Sequence, residues 1–170
     1  MKNYINLQSF IDEYNIEANI IEKPSTQATL DACEALKGMG YEVTGEQFIK
    51  AIVMIAEKEN KVKEPIIVMV RGIDKIDTQA VKALISAKKL RIPDPTEAQT
   101  ICSYPRGGTP PVGFTNINTV VIEKNLVSPP KLLFGGGGDT EHLIVIQSDE
   151  LKNFHENNEI NKLLIATIIS

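Results

Sequence analysis

The residues best placed to do chemistry lie in the run Tyr104-Pro105-Arg106-Gly107-Gly108-Thr109-Pro110-Pro111-Val112-Gly113-Phe114, with a second cluster, Gly135-Gly136-Gly137-Gly138, further along. Glycine lacks a Cβ, so a ligand can approach the main chain, while Pro105, Pro110 and Pro111 fix φ and hold the shape of the loop. Such a loop presents oriented N–H groups. They stabilise the negative charge of a carbonyl, an ester or a phosphate without needing a particular side chain. The competing account is a pair of ordinary surface loops.

Lys50 is the second candidate. It is the one charged residue in the apolar run from Phe48 to Ala56. Strand alternation puts it on the face of Phe48, Ile52 and Met54, opposite Ile49, Ala51, Val53 and Ile55, so both faces expect cover. A dehydrated ammonium costs several kcal/mol unless an anion or hydrogen-bond acceptors compensate. A ligand phosphate or ester would compensate it; the alternative is that Lys50 snorkels to water over its long stem. Arg71 leaves the next apolar strand beside Gly72, where α/β proteins often place ligands, and Asp74 or Asp77 offers it a plain ion pair instead. Asp139 and His142 follow the glycine cluster closely, and His142 also reads as the start of a strand.

No other set of residues points to a reactive centre. Cys33 and Cys102 have no metal-ligand spacing, and Cys33 falls in an apolar helical pattern that predicts burial. His142 and His155 are the only histidines, so no metal and no cofactor are implied. Neither a serine–histidine–acid set nor a cysteine–histidine pair is evident.

These residues must be held by elements that the spacing predicts. Leu7, Phe10, Ile11 and Tyr14 mark a helix, Ala18 to Glu22 a strand, and Thr29 to Lys37 a helix stopped by Gly38 and Gly40. Phe48 to Ala56 and Ile66 to Val70 are neighbouring strands across a charged turn. A helix capped at Asp77 or Thr78 runs over Val81, Leu84 and Ile85 to Lys88 and Lys89, and Thr96-Glu97-Ala98-Gln99 opens another as a capping box. Strands follow at Thr119 to Glu123, Lys131 to Phe134 and His142 to Gln147, then a helix near Asp149 to His155. Ile160 to Ile169 fits either type. The interleaving indicates one mixed α/β domain over residues 1–170.

Composition narrows the partners. With 170 residues, 42% apolar and 24% charged, the chain reads as an ordinary globular domain. Eighteen Lys+Arg against 22 Asp+Glu give a net charge of −4, which argues against non-specific, charge-driven adhesion to nucleic acid, and no DNA partner is expected. A local basic patch is open at Lys82, Lys88, Lys89 and Arg91, or at Lys124 and Lys131. No signal-peptide core and no apolar run of about 20 residues is present, so a cytoplasmic protein without a membrane span is expected.

Taken in order, Lys50, Arg71-Gly72, Thr96-Glu97-Ala98, Gly107 through Gly113 and the later glycines resemble the YbaK-type aminoacyl-tRNA deacylase family. That family includes free-standing editing proteins and the editing domain inserted in bacterial prolyl-tRNA synthetases. The resemblance runs from about Thr26 to the last helix. It implies a mixed, barrel-like sheet flanked by helices, and a trans-editing hydrolase that cleaves the ester between a wrong amino acid and the 3′-terminal adenosine of tRNA. Lys50 and Gly107 match the family's essential lysine and the head of its Gly-x-x-x-Pro loop. Thr26, Arg71, Gly108, Thr109, Pro110, Pro111, Gly113, Gly136, Gly137 and Asp139 fall at positions implied to bind substrate. The implied partners are the acceptor end of aminoacyl-tRNA and a synthetase. Where many members carry basic residues, this chain has Asp139-Thr140-Glu141-His142. A non-catalytic tRNA- or nucleotide-binding module of the same fold is the other reading.

Overall fold

The computed structural model describes residues 1–170. Helix α1 (Tyr4–Glu13) starts at Asn3, whose side chain accepts from the Ile5 amide while Asn6 accepts from the Asn3 amide, and its stripe of Leu7 and Ile11 is buried. The chain continues through β1 (Ala18–Glu22), α2 (Thr29–Gly38), a 3-10 turn at Gly45–Gln47, β2 (Ile49–Glu57) and β3 (Lys63–Arg71). It then forms α3 (Thr78–Ile85), β4 (Lys89–Arg91), α4 (Pro95–Cys102), β5 (Thr119–Glu123) and the short α5 (Lys124–Val127). Strands β6 (Leu132–Gly136) and β7 (His142–Gln147), helix α6 (Ser148–Asn157) and β8 (Lys162–Ala166) complete it.

The strands make two sheets. One has five strands in the order β4-β2-β3-β5-β8, antiparallel around β2 and parallel from β3 to β8; the other is β1-β7-β6, all antiparallel. The expected mixed α/β architecture is therefore present, but the sheet does not close into a barrel. Phe48 and Phe134 link the two sheets by an isolated bridge, with their rings stacked 5.1 Å apart. Gly135 and Gly136 then pair with β7 instead of continuing against β2.

Both faces of β2 and β3 are covered, as their unbroken apolar runs require. Ile49, Val53, Ile67 and Met69 enter the larger core beneath α1, α4 and α6, and Met54, Ile66, Val68 and Val70 pack with Val81 and Ile85 of α3. Each such fully buried side chain contributes about 1.5–3 kcal/mol.

Two predicted helices depart from the sequence expectation, and the tail that fitted either type takes one. Helix α3 ends at Ile85, where Ser86 turns left-handed, and Lys89–Arg91 pair with β2 as an edge strand in place of the last helical turn. Pairing Leu90 with Ala56 buries backbone groups that a longer helix would leave beside the open edge. In α4 the cap is Asp94, which accepts from the Glu97 amide at 2.8 Å, with Pro95 in the first turn; Thr96 is already inside the helix. The tail resolves as β8, parallel to β5, because the core offers β5 an open flank. No helix is long and apolar enough to cross a membrane.

Candidate functional site

Strand β2 pairs with β3 along its whole length but with β4 only from Ile55 to Glu57. Its other edge is open from Ile49 to Met54. A cavity of about 610 Å³ occupies that gap between the two sheets, which is why consecutive residues Phe48 to Val53 line it without strand alternation. The remaining wall comes from the start of α2, from the segment Ile92 to Gln99, from the glycine loop and from the end of β6.

The glycine loop is built in two layers. Gly107 and Thr109 face the cavity, half-exposed, while Gly108, Pro110, Pro111, Val112 and Gly113 are buried beneath them. Gly107 has φ +83, and a Cβ there would lie 2.8 Å from the Gln27 Cα. Gly136 closes the other side, where a Cβ would meet the Thr109 carbonyl oxygen at 2.1 Å. The glycines thus let three backbone segments pack on one another. The Gly108 carbonyl accepts from the Gly138 amide, and His155 Nε2 lies 2.8 Å from the Pro111 carbonyl oxygen. The amides of Gly107 and Thr109 donate to no protein acceptor and remain available.

Lys50 is half-buried at the open edge of β2. Its ammonium donates to the Asp74 carbonyl oxygen at 2.7 Å, which leaves two N–H groups uncommitted. Arg71 secures that turn with a two-pronged pairing to the Asp74 carboxylate, 2.7 Å from Nε and 3.1 Å from the terminal nitrogen. The Arg71 fork holds the Asp74 carboxyl below the usual range, while the same hydrogen bond raises the guanidinium. Arg71 therefore stands behind Lys50 and does not line the cavity.

Helix α2 brings its N-terminus to the cavity. Residues Thr26 to Leu30 line it, and with Ala28 at the cap position no side chain satisfies the first-turn amides. An uncapped N-terminus carries partial positive charge and free donors, a setting for an anionic group. Lys23 braces this entry. Only 7% exposed, its ammonium donates to Thr26 Oγ1 at 2.7 Å, to the Pro24 carbonyl at 3.3 Å and to the Thr140 carbonyl. All three of its protons are spent on the protein, and burial pulls its pKa down against the raising effect of Asp139 and Glu141.

The charged side chains lining the cavity are Lys23, Lys50 and Arg106. No carboxylate or imidazole is among them. Tyr104, fully buried at the cavity wall, has its phenol pushed up to about 12 by burial, so it is neutral at ordinary pH. The nearest acid–imidazole pair lies outside: Asp139 Oδ1 is 2.6 Å from His142 Nδ1, and the His142 ring stacks on Tyr4 at 3.9 Å.

Of the residues singled out in the sequence, the fold gathers Thr26, Lys50, Gly107, Thr109 and Gly136 around one cavity. Gly108, Pro110, Pro111 and Gly113 lie behind its wall; Gly137 packs under His142; Arg71 and Asp139 are committed to Asp74 and His142. Lys23 and the open end of α2 were not anticipated, and Arg106 stood out only as a member of the loop run. The signal for the α2 end was present: a helical run whose cap position holds alanine where serine, threonine or aspartate is usual.

The model of the aminoacyl-tRNA editing domain matches residues 23–153. The chain is 24% identical to a proline–tRNA ligase of Limosilactobacillus fermentum over 129 residues, which is 75% of this chain and 22% of the ligase, so it spans about a fifth of that relative. In fold it is similar to a hypothetical protein of known crystal structure (TM-score 0.80, 20% identity, covering 97% of this chain and 99% of that one). It is also similar to a protein described as a candidate trans-editing enzyme for prolyl tRNA synthetase (TM-score 0.78, 21% identity, covering 98% and 96%).

Proposed function

We propose that this chain, which belongs to the aminoacyl-tRNA editing domain family, is a trans-editing deacylase that hydrolyses the ester joining an amino acid to the 3′-terminal adenosine of tRNA. One observation carries the reading: the cavity is lined by cations, free amides and an uncapped helix end, with no carboxylate or imidazole among its lining residues. Such a lining suits an anionic, carbonyl-bearing ligand and offers no carboxylate or imidazole to serve as a general base or to activate a protein nucleophile. Its volume also suits a small ligand or the end of a larger one.

In this mechanism the terminal nucleotide's phosphate lies against Lys50 and the α2 N-terminus, and the aminoacyl group reaches the glycine loop. Water attacks the ester carbonyl carbon. The amides of Gly107 and Thr109 donate to the oxyanion as it forms, for which one well-placed donor is worth about 3–4 kcal/mol. The tetrahedral intermediate then expels the ribose oxygen, which takes up the proton that the water gives away. With no carboxylate or imidazole at the cavity to take that proton, the substrate's own ribose hydroxyl positions the water. Thr109 stands where the aminoacyl side chain ends and is the residue that reads it.

A panel of correctly and incorrectly charged tRNAs incubated with the protein tests the reading, with loss of ester as the readout. Turnover on at least one mischarged species is expected. Ester loss from none of them would replace the enzyme with a non-catalytic binding module of the same fold.

A further inference from the structure

A second concavity, about 420 Å³, lies at the far end of β2 and is lined by Ile55, Glu57, Lys63, Lys82, Lys89, Leu90 and Arg91. Four of these side chains are cations and one is an acid, in a chain whose net charge is −4. The sheet register explains the gathering: Glu57 pairs with Lys63 on one side and Lys89 on the other, and Arg91 pairs with Ile55. Lys82 comes round the edge from α3. The two carboxylates nearby do not cancel the charge. Glu57 sits 3.9 Å from Lys89, and Glu97 holds Arg91 at 2.7 Å, while Lys63 and Lys82 form no ion pair.

The groove lies further along the same strand that lines the cavity. Strand β2 carries Lys50 at one end and Glu57 at the other, and β4 runs from Lys89 and Arg91 directly into Ile92 and Pro93 of the cavity wall. The six residue steps of extended chain from Ala51 to Glu57 span about 20 Å at ~3.4 Å each. That distance is about six stacked nucleotides at ~3.4 Å per nucleotide on one strand. A single-stranded 3′ end of a few nucleotides can therefore run from the cavity to the groove.

We infer that this basic groove docks the phosphate backbone of the tRNA acceptor stem while the 3′ end enters the cavity, an inference that rests on the reading given under Proposed function. Lysines contact phosphates as point charges, so the groove grips the stem without reading its sequence. It also lets a chain of negative net charge hold a polyanion, since the cations are concentrated on one concave face.

The test measures binding of uncharged full-length tRNA across a salt series, for the wild type and for a Lys63→Ala/Lys82→Ala/Lys89→Ala variant, beside hydrolysis of a minimal 3′-aminoacyl trinucleotide. Each lost phosphate contact lowers the slope of log affinity against log salt by about 0.7–0.9, so the triple variant should lose about 2 to 3. Hydrolysis of the minimal ester should stay within about twofold, since it carries no stem. An unchanged salt slope overturns the groove, whatever the ester does. Wild-type hydrolysis of neither the minimal ester nor any member of the charged tRNA panel, with the slope change intact, would instead overturn the editing reading and leave the groove standing.

Discussion

Substituting Gly136 by alanine tests whether the glycine loop is set by backbone packing. A Cβ at Gly136 would lie 2.1 Å from the Thr109 carbonyl oxygen and 2.6 Å from its carbon, and both atoms belong to backbone that cannot swing aside like a side-chain tip. Gly136 is itself fixed by pairing with Leu143. An ordinary contact of about 3.4 Å requires the 108–109 segment to retreat by roughly 1 Å, and overpacking of this kind costs typically 1–3 kcal/mol. For a chain of this length that is a fall in Tm of about 2–4 °C per kcal/mol. The same retreat moves the Thr109 amide off the oxyanion position, for which a displacement near 1 Å costs about 100-fold in rate. Thermal melting and single-turnover deacylation give the two readouts. Gly38→Ala is the control: nothing lies within 4 Å of its Cβ, so gain of helix propensity should leave stability equal or up to ~1 kcal/mol higher, and activity unchanged. If Gly136→Ala melts within about a degree of wild type and deacylates within twofold, the loop is not held in the way described.

Arg71→Ala should slow deacylation about 10-fold by releasing the Asp74 turn that anchors Lys50, and the loss should vanish in a Lys50→Ala background; an additive double variant would give Arg71 an independent role. His155, 2% exposed, has its pKa lowered by burial, so its neutral form is the folded one. The unfolded chain then takes up a proton that the folded one refuses as pH drops below about 6.5, and stability present above that pH is lost through the interval down to the lowered folded value. Tm measured from pH 8 to 5 should therefore fall less in His155→Gln, which can still donate to Pro111; parallel curves would contradict this. Asp74 acts in a separate acid window: its lowered pKa adds stability above 3.8 that is lost as pH falls through the folded value, and Arg71→Ala should erase that component of an acid titration. Asp94→Ala removes the α4 cap, with an expected cost of about 1 kcal/mol seen as a lower denaturant midpoint, whereas Thr96→Ala should cost less.

Elements with a strong local pattern were legible. The strands at Ala18, Thr119 and His142 stand where alternation and β-branching put them, and the β2–β3 pair follows from two apolar runs across one turn. What tertiary pairing decides was not. Lys88 and Lys89 read as a helix end, yet Lys89–Arg91 becomes a strand because β2 has an unpaired edge there. At the site, Lys50 and the glycine loop announce themselves by being out of place, a charge in an apolar strand and glycines between prolines. The role of Arg71 could not be separated from a surface ion pair by sequence, and in the structure that pair is made with Asp74, whose carbonyl also accepts from Lys50. Lys23 gave no signal, since its environment comes from the Thr140 loop far along the chain.

The central claim is that this cavity hydrolyses an aminoacyl ester through Lys50 and the loop amides. Single-turnover deacylation of one mischarged tRNA by wild type and by Lys50→Ala, with the affinity of each for uncharged tRNA measured beside it, tests that claim most directly. Ester loss should slow by about 100-fold in the variant with the fold retained, since the cation that holds the terminal phosphate, and with it the ester against the loop amides, has been removed. A Lys50→Ala protein that clears the ester at the wild-type rate would contradict it.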